Sequence, residues 1–221
     1  MKTPFSAEQF FSVIEKYNTC VFPLQFLILA VGFYLIFWIL TGKKQNSKLP
    51  GTFIGLFWLW MGIGYHYQFF TTINKAAWMF GSLFILQGIF ILIETLIHNN
   101  LAQKSPHTKK VNVGYILIIY GLVIYPILSY FSEGLFPLTI SVGLPCPTTI
   151  LTFGFFLIYS EKFPRYLLII PTLWSLIGIS AALNFGVYQD FVMVASAIVV
   201  NVWLIRQKSR NIKIIQSVSQ Q

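Results

Sequence analysis

Seven stretches of this chain, at about 20–41, 50–70, 77–98, 111–131, 136–158, 164–184 and 187–205, are each apolar over a length that can cross a bilayer. Spanning the roughly 30 Å of hydrocarbon takes about 20 residues of helix. Each stretch is a continuous apolar run, not the ten-residue alternation of a barrel strand, so each is expected to be a helix. Composition agrees: 56% of the residues are hydrophobic and 10% charged, against about 25% charged in an ordinary globular domain. The expected fold is an all-α integral membrane protein of seven transmembrane helices. Its division is a 1–19 amphipathic segment on the outer surface, a 20–205 membrane domain and a 206–221 basic and polar cytoplasmic tail.

The basic residues orient the bundle. With the N-terminus outside and the C-terminus inside, Lys43, Lys44, Lys48, Lys104, Lys109, Lys110, Lys162, Arg165, Arg206, Lys208, Arg210 and Lys213 face the cytoplasm, leaving Lys2, Lys16 and Lys75 outside. That asymmetry follows the positive-inside rule. The formal charge of +9 therefore sits in short loops and a tail beside anionic lipid, which argues against a nucleic-acid partner and names the lipid bilayer as the first one. The first nineteen residues lack the basic start, apolar centre and small-residue cleavage site of a signal peptide. Ser6 and Gln9 instead have capping-box spacing, and Phe10, Val13, Ile14 and Tyr17 recur at helical spacing.

Sliding the chain by 114 residues lays Phe22-Pro23-Leu24 on Phe136-Pro137-Leu138, Pro50 on Pro164, Leu59-Trp60 on Leu173-Trp174, Ile63-Gly64 on Ile177-Gly178 and Gln87 on Asn201. Helices 1–3 then match helices 5–7 as parallel three-helix repeats joined by helix 4. The three, one, three arrangement resembles the topology of the SWEET sugar transporters and their PQ-loop relatives. That resemblance implies a substrate flanked by amides on the third and seventh helices and by pocket residues on the second and sixth, here Gln87, Asn201, Trp60 and Trp174. The chain departs from those families in having no PQ dipeptide, and Pro50 and Pro164 fall at helix starts. The runs FWLWMGIGYHYQFFTTINKAAWMFG, SVGLPCPTTILTFG, PTLWSLIGISAA and VYQD resemble a second group, bacterial multi-pass membrane proteins known as a domain of unknown function. This implies a bacterial inner-membrane location and transfers no functional residue.

Polar groups at mid-bilayer need partners, so each is either a site residue or helix glue. In GLPCPTT at 143–149, Pro145 and Pro147 lack backbone N–H groups. They are expected to break helix five midway and free carbonyls near Ser141 and Gly143, with Thr148, Thr149 and Cys146 beside the break. Cys146 can line a pocket, simply pack, or, with His66, hold a soft metal; a metal wants two or more such ligands, and no cofactor is implied. His66, placed by helical spacing with Gly62, Ile63 and Phe70, can carry a proton or sit in an interfacial belt. Glu94 and Asp190 are gating or proton-coupling candidates. The structural alternatives are a pair with a basic loop residue for Glu94 and a helix cap for Asp190. Gln87 needs a partner, with Asn201, Glu94 or a substrate available.

Phosphate loops, HExxH, a GxSxG elbow and paired carboxylates are absent from the sequence, which argues against familiar enzyme classes. The expected function is a small-solute transporter or permease whose midplane site takes a small, polar, uncharged molecule, with a homodimer compatible with so small a bundle. The alternatives are a non-catalytic membrane scaffold or accessory subunit, and a soft-metal or redox protein using Cys146.

Overall fold

The structure is a computed structural model and describes residues 4–41, 47–101, 108–159 and 163–218, with side chains through Leu204 and at Arg206 apart from Leu40, Thr41 and the 205 position. Lys2, Lys43, Lys44, Lys104 and Lys162, and the side chains of Lys208, Arg210 and Lys213, lie outside the described residues. The described chain is all-helical. Helix α1 (Ala7–Val21) turns through 85° into α2 (Leu24–Thr41) at Phe22 and Pro23. Then come α3 (Leu49–Trp60), which continues as a π-helix over Met61–Tyr67, and α4 (Ala77–Leu96). Helix α5 (Lys109–Ile119) runs through a π-turn (Tyr120–Ile124) into α6 (Tyr125–Ser132). Helix α7 (Pro145–Ile158), α8 (Ile169–Phe185, entered through a 3-10 turn at Arg165–Leu168), a 3-10 turn at Tyr188–Asp190 and α9 (Phe191–Val218) complete it.

Among the described residues, three helical segments are long and apolar enough to cross a membrane: Ala77–Leu96, Lys109–Ser132 and Arg165–Phe185. The bent pair α1 and α2 makes a fourth if it counts as one span. The seven apolar runs thus do not all become long helices. The largest departure is at 136–158, where a helix is expected on both sides of a mid-span break but the helix starts only at Pro145 and the preceding residues are non-helical. Both prolines lie in the first turn of α7, where no intrahelical N–H bond is required, so they open a helix instead of breaking one.

The carbonyls this leaves are satisfied internally. Leu144 N donates to Ser141 O at 3.0 Å and Tyr17 Oη donates to Gly143 O at 3.0 Å. Gly143 itself has φ +103°, a conformation that favours glycine, and its N–H donates to Thr148 Oγ1 at 3.0 Å.

Helix α7 is the centre of the molecule. Apart from Cys146, which is half-buried, all of its residues are buried, as expected for a helix that is apolar on every side. Two small-residue seams draw backbones together. A Cβ on Gly154 would meet Gly114 O at 2.6 Å, locking α7 on α5, and one on Gly62 would meet Gly81 O at 2.8 Å, locking the π-helix on α4.

Helix α1 starts with the capping box, Gln9 N donating to Ser6 Oγ at 3.2 Å and Ser6 N to Gln9 Oε1 at 2.9 Å. It buries Val13, Ile14, Tyr17 and Asn18 while Glu15 and Lys16 face outward. Asn18 Nδ2 donates to Pro137 O (2.6 Å) and Thr139 O (3.0 Å), fastening α1 to the non-helical segment before α7.

Candidate functional site

A cavity of about 230 Å³ lies where α1, the π-helical continuation of α3, the start of α7, the last turns of α8 and the Tyr188–Asp190 turn converge. Its walls are mostly carbon. Phe5 and Phe10 from the N-terminal segment stack with Phe185, at 5.5 and 4.9 Å between centroids, and Phe5 meets Phe70 edge-on at 5.4 Å. These rings form part of the wall. The lining also carries a cluster of polar groups, Asp190, Tyr125, Cys146 and Trp174, with Tyr65, Asn74 and Ser180 as the other polar side chains.

Asp190 is 1% exposed. Its Oδ1 accepts the Tyr125 hydroxyl at 2.5 Å, tying the turn before α9 to α6. The expected cap is therefore replaced by a tertiary hydrogen bond. The Cys146 thiol, in the first turn of α7, adjoins both Asp190 and Trp174. Trp174 is 8% exposed, and its Nε1 is buried, with no nitrogen or oxygen partner among the described residues and the Cys146 thiol beside it. Behind Asp190, Gln189 Nε2 donates to Glu133 Oε1 at 2.9 Å, placing a second carboxylate nearby. Among the described residues lining the cavity there is no Lys, Arg or His.

His66 sits beside this site. It is fully buried, with both ring nitrogens lacking partners, packed edge-on against Phe84 (4.5 Å) and Trp174 (5.2 Å). The expected common face with Ile63 is not kept, since Ile63 is half exposed. A π-helical turn carries five residues' worth of backbone per hydrogen bond, so α-helical spacing loses register over 61–67. Among the described residues no group of three or more His, Cys, Asp or Glu is placed to hold a metal ion. Both cysteines, Cys20 and Cys146, are free thiols.

The other expected site residues are held elsewhere. Gln87 Nε2 donates to Leu167 O at 2.9 Å, not to Asn201. Asn201 Nδ2 donates to Thr172 Oγ1 and to Ala197 O, both at 2.8 Å. Trp60 Nε1 donates to Tyr17 Oη at 2.6 Å, the start of a relay ending on Gly143 O. Thr149 Oγ1 donates to Pro145 O at 2.7 Å, and Thr148 Oγ1 accepts from Gly143 N. Of the four residues expected to face one another at mid-membrane, only Trp174 lines the cavity.

Glu94 lies at the far end, 3% exposed, where α4 finishes. Its partners are Tyr166 Oη (2.6 Å), Asn100 Nδ2 (2.6 Å) and His98 Nδ1 (2.9 Å), the last at ion-pair distance from the turn after α4, where a basic partner is expected.

Kinship is decided by one match: the model of a family of unknown function, DUF6064, covers residues 7–215. The chain belongs to the DUF6064 family. No curated protein and no solved structure matches it. The match takes in every element of the cavity except Pro4 and Phe5, so the site falls within the family's shared region. Tyr125 is a site residue that sequence reasoning misses. Its signal is a hydroxyl within an apolar run immediately before Pro126, a polar tip that burial obliges to find a partner.

Proposed function

We propose that this DUF6064 chain is a seven-span membrane protein, N-terminus out and C-terminus in, of the bacterial inner membrane, and that it admits a small solute through the cavity beside α1. The observation that carries the reading is the cavity lining. A partly open, carbon-walled space includes a buried carboxylate, a thiol and a buried indole N–H in its lining. Binding pockets have this composition, mostly apolar with a few convergent polar groups.

Part of the cavity's wall comes from the N-terminal segment, Asn74 and Phe185–Val187, all at ends that the basic residues assign to the outside. Helix α7 begins inside the protein beside the cavity, as half-helices do at transporter sites. The repeat has partial support. Helices α4 and α9 begin at Ala77 and Phe191, 114 residues apart, whereas α3 and α8, from Leu49 and Ile169, and α2 and α7, from Leu24 and Pro145, begin 120 and 121 residues apart.

Thermal unfolding of the detergent-purified protein across sugars, amino acids, amines and other small metabolites tests the reading, followed by uptake of any hit into proteoliposomes. A hit at a hundred times its dissociation constant adds about 2.7 kcal/mol. A second reading, a membrane scaffold, is favoured by the internal hydrogen bonds of Gln87, Asn201, Trp60 and Glu94. In that case no compound shifts the transition.

A further inference from the structure

The charge balance of the cavity goes one step further than its shape. We propose that the cavity is a site for a small organic ammonium ion, held by the Asp190 carboxylate and by the faces of the surrounding aromatic rings. The inference rests on the cavity being the binding site and deepens that reading.

Asp190 is buried against two neutral groups, the Tyr125 hydroxyl and the Cys146 thiol, with no basic residue among the described lining. Glu133 adds negative charge behind it. A buried carboxylate without a cation is costly, and a ligand bearing positive charge offsets that cost. The walls suit the same ligand, because five aromatic side chains, Tyr65, Phe70, Phe80, Trp174 and Phe185, are among the lining, and cations are attracted to aromatic rings.

Other ligand classes fit less well. An anion meets the Asp190 carboxylate, with Glu133 behind it, and no basic group among the described lining. A hard metal ion wants six or more oxygen ligands, and no cluster of metal-ligating side chains exists among the described residues. A sugar needs many hydrogen bonds, while the cavity offers few polar groups besides Asp190, Tyr125, Cys146 and Trp174. The volume, about 230 Å³, exceeds the roughly 150 Å³ that accepts benzene in an engineered cavity. It accommodates a trimethylammonium head with a short tail. The expectation of an uncharged solute requires a site without charge, and Asp190 supplies one.

The test is calorimetric titration of the full-length, detergent-purified protein with choline and with its neutral carbon isostere 3,3-dimethylbutan-1-ol. Choline is expected to bind at least about tenfold more tightly than the isostere, and Asp190→Asn to weaken choline by about thirtyfold or more. Glu94→Gln, at the opposite end, leaves choline binding unchanged. If the isostere binds as well as choline, the ammonium assignment is wrong while the cavity remains a binding site. The assignment is equally wrong if choline fails and another compound stabilises the protein. If no compound binds at all, both the assignment and the binding-site reading fall. The choline-to-isostere ratio in the native protein decides the matter even if Asp190→Asn does not fold.

Discussion

Two buried acids, at opposite ends of the bundle, show how differently the same chemistry can be used. Glu94 and Asp190 are both almost wholly enclosed. Glu94 receives three side-chain donors from His98, Asn100 and Tyr166, and its backbone carbonyl takes the N–H of Asn100 at 2.8 Å. Nearby, Lys48 Nζ donates to Leu96 O at 2.7 Å, closing the end of α4. Glu94 is thus fully partnered within the protein. Asp190 has only neutral neighbours, the Tyr125 hydroxyl and the Cys146 thiol, and it lines a cavity. Burial alone does not distinguish a structural acid from a site acid; the number of internal partners does.

The contrast can be broken by substitution, read as thermal unfolding in detergent. Glu94→Ala has the largest expected effect, since it removes the buried acceptor of three donors, one on half-buried Asn100 and two on the more exposed His98 and Tyr166. A loss of about 2–3 kcal/mol follows from hydrogen bonds to a charged group, or roughly 4–12 °C at about 2–4 °C per kcal/mol for a chain of this size. Tyr17→Phe comes next, because it removes both the donor to Gly143 O and the acceptor for Trp60 Nε1, at about 1–2 kcal/mol. A loss as large as that of Glu94→Ala would mean that the segment before α7 depends on this relay more than on its apolar packing.

Gln87→Leu is expected to cost less than about 1 kcal/mol. It gives up the bond to Leu167 O but also removes a buried Oε1 that has no partner. A severe loss there would restore Gln87 as a residue whose free oxygen serves a ligand. Asp190→Asn is expected to have the smallest effect on stability, within about 1 kcal/mol of native. The amide can still pair with Tyr125, and a buried charge without a basic partner is removed. A destabilisation equal to that of Glu94→Ala would make the two ends alike and remove the contrast.

Part of this architecture is legible in the amino-acid pattern. Ser6 and Gln9 announce the start of α1, and the apolar runs at 77–98 and 164–184 become helices ending within a few residues of those limits. Cys146, His66, Trp174 and Asp190 are recognisable as polar or reactive groups with few places to go, and the fold brings them to one side of the molecule. Other features are not legible, for physical reasons. The run 136–158 is apolar whether residues 137–144 are helical or extended in a buried environment, so hydropathy cannot locate the start of α7. Two prolines close together mark a helix start as readily as a break. The π-helical turn at 61–67 leaves no period in so short a segment. Which amides are satisfied depends on contacts such as that between Gln87 and Leu167, 80 residues apart, that no local pattern encodes.

The central claim is that the cavity under α1 serves a ligand while the Glu94 cluster serves the fold. Its most direct test is the shift in unfolding temperature caused by a panel of amines, sugars, amino acids and metabolites on the native protein, Asp190→Asn and Glu94→Gln. The account predicts that a compound stabilising the native protein also stabilises Glu94→Gln, whose starting point is lower, and no longer stabilises Asp190→Asn. A compound whose shift survives in Asp190→Asn and vanishes in Glu94→Gln would contradict it.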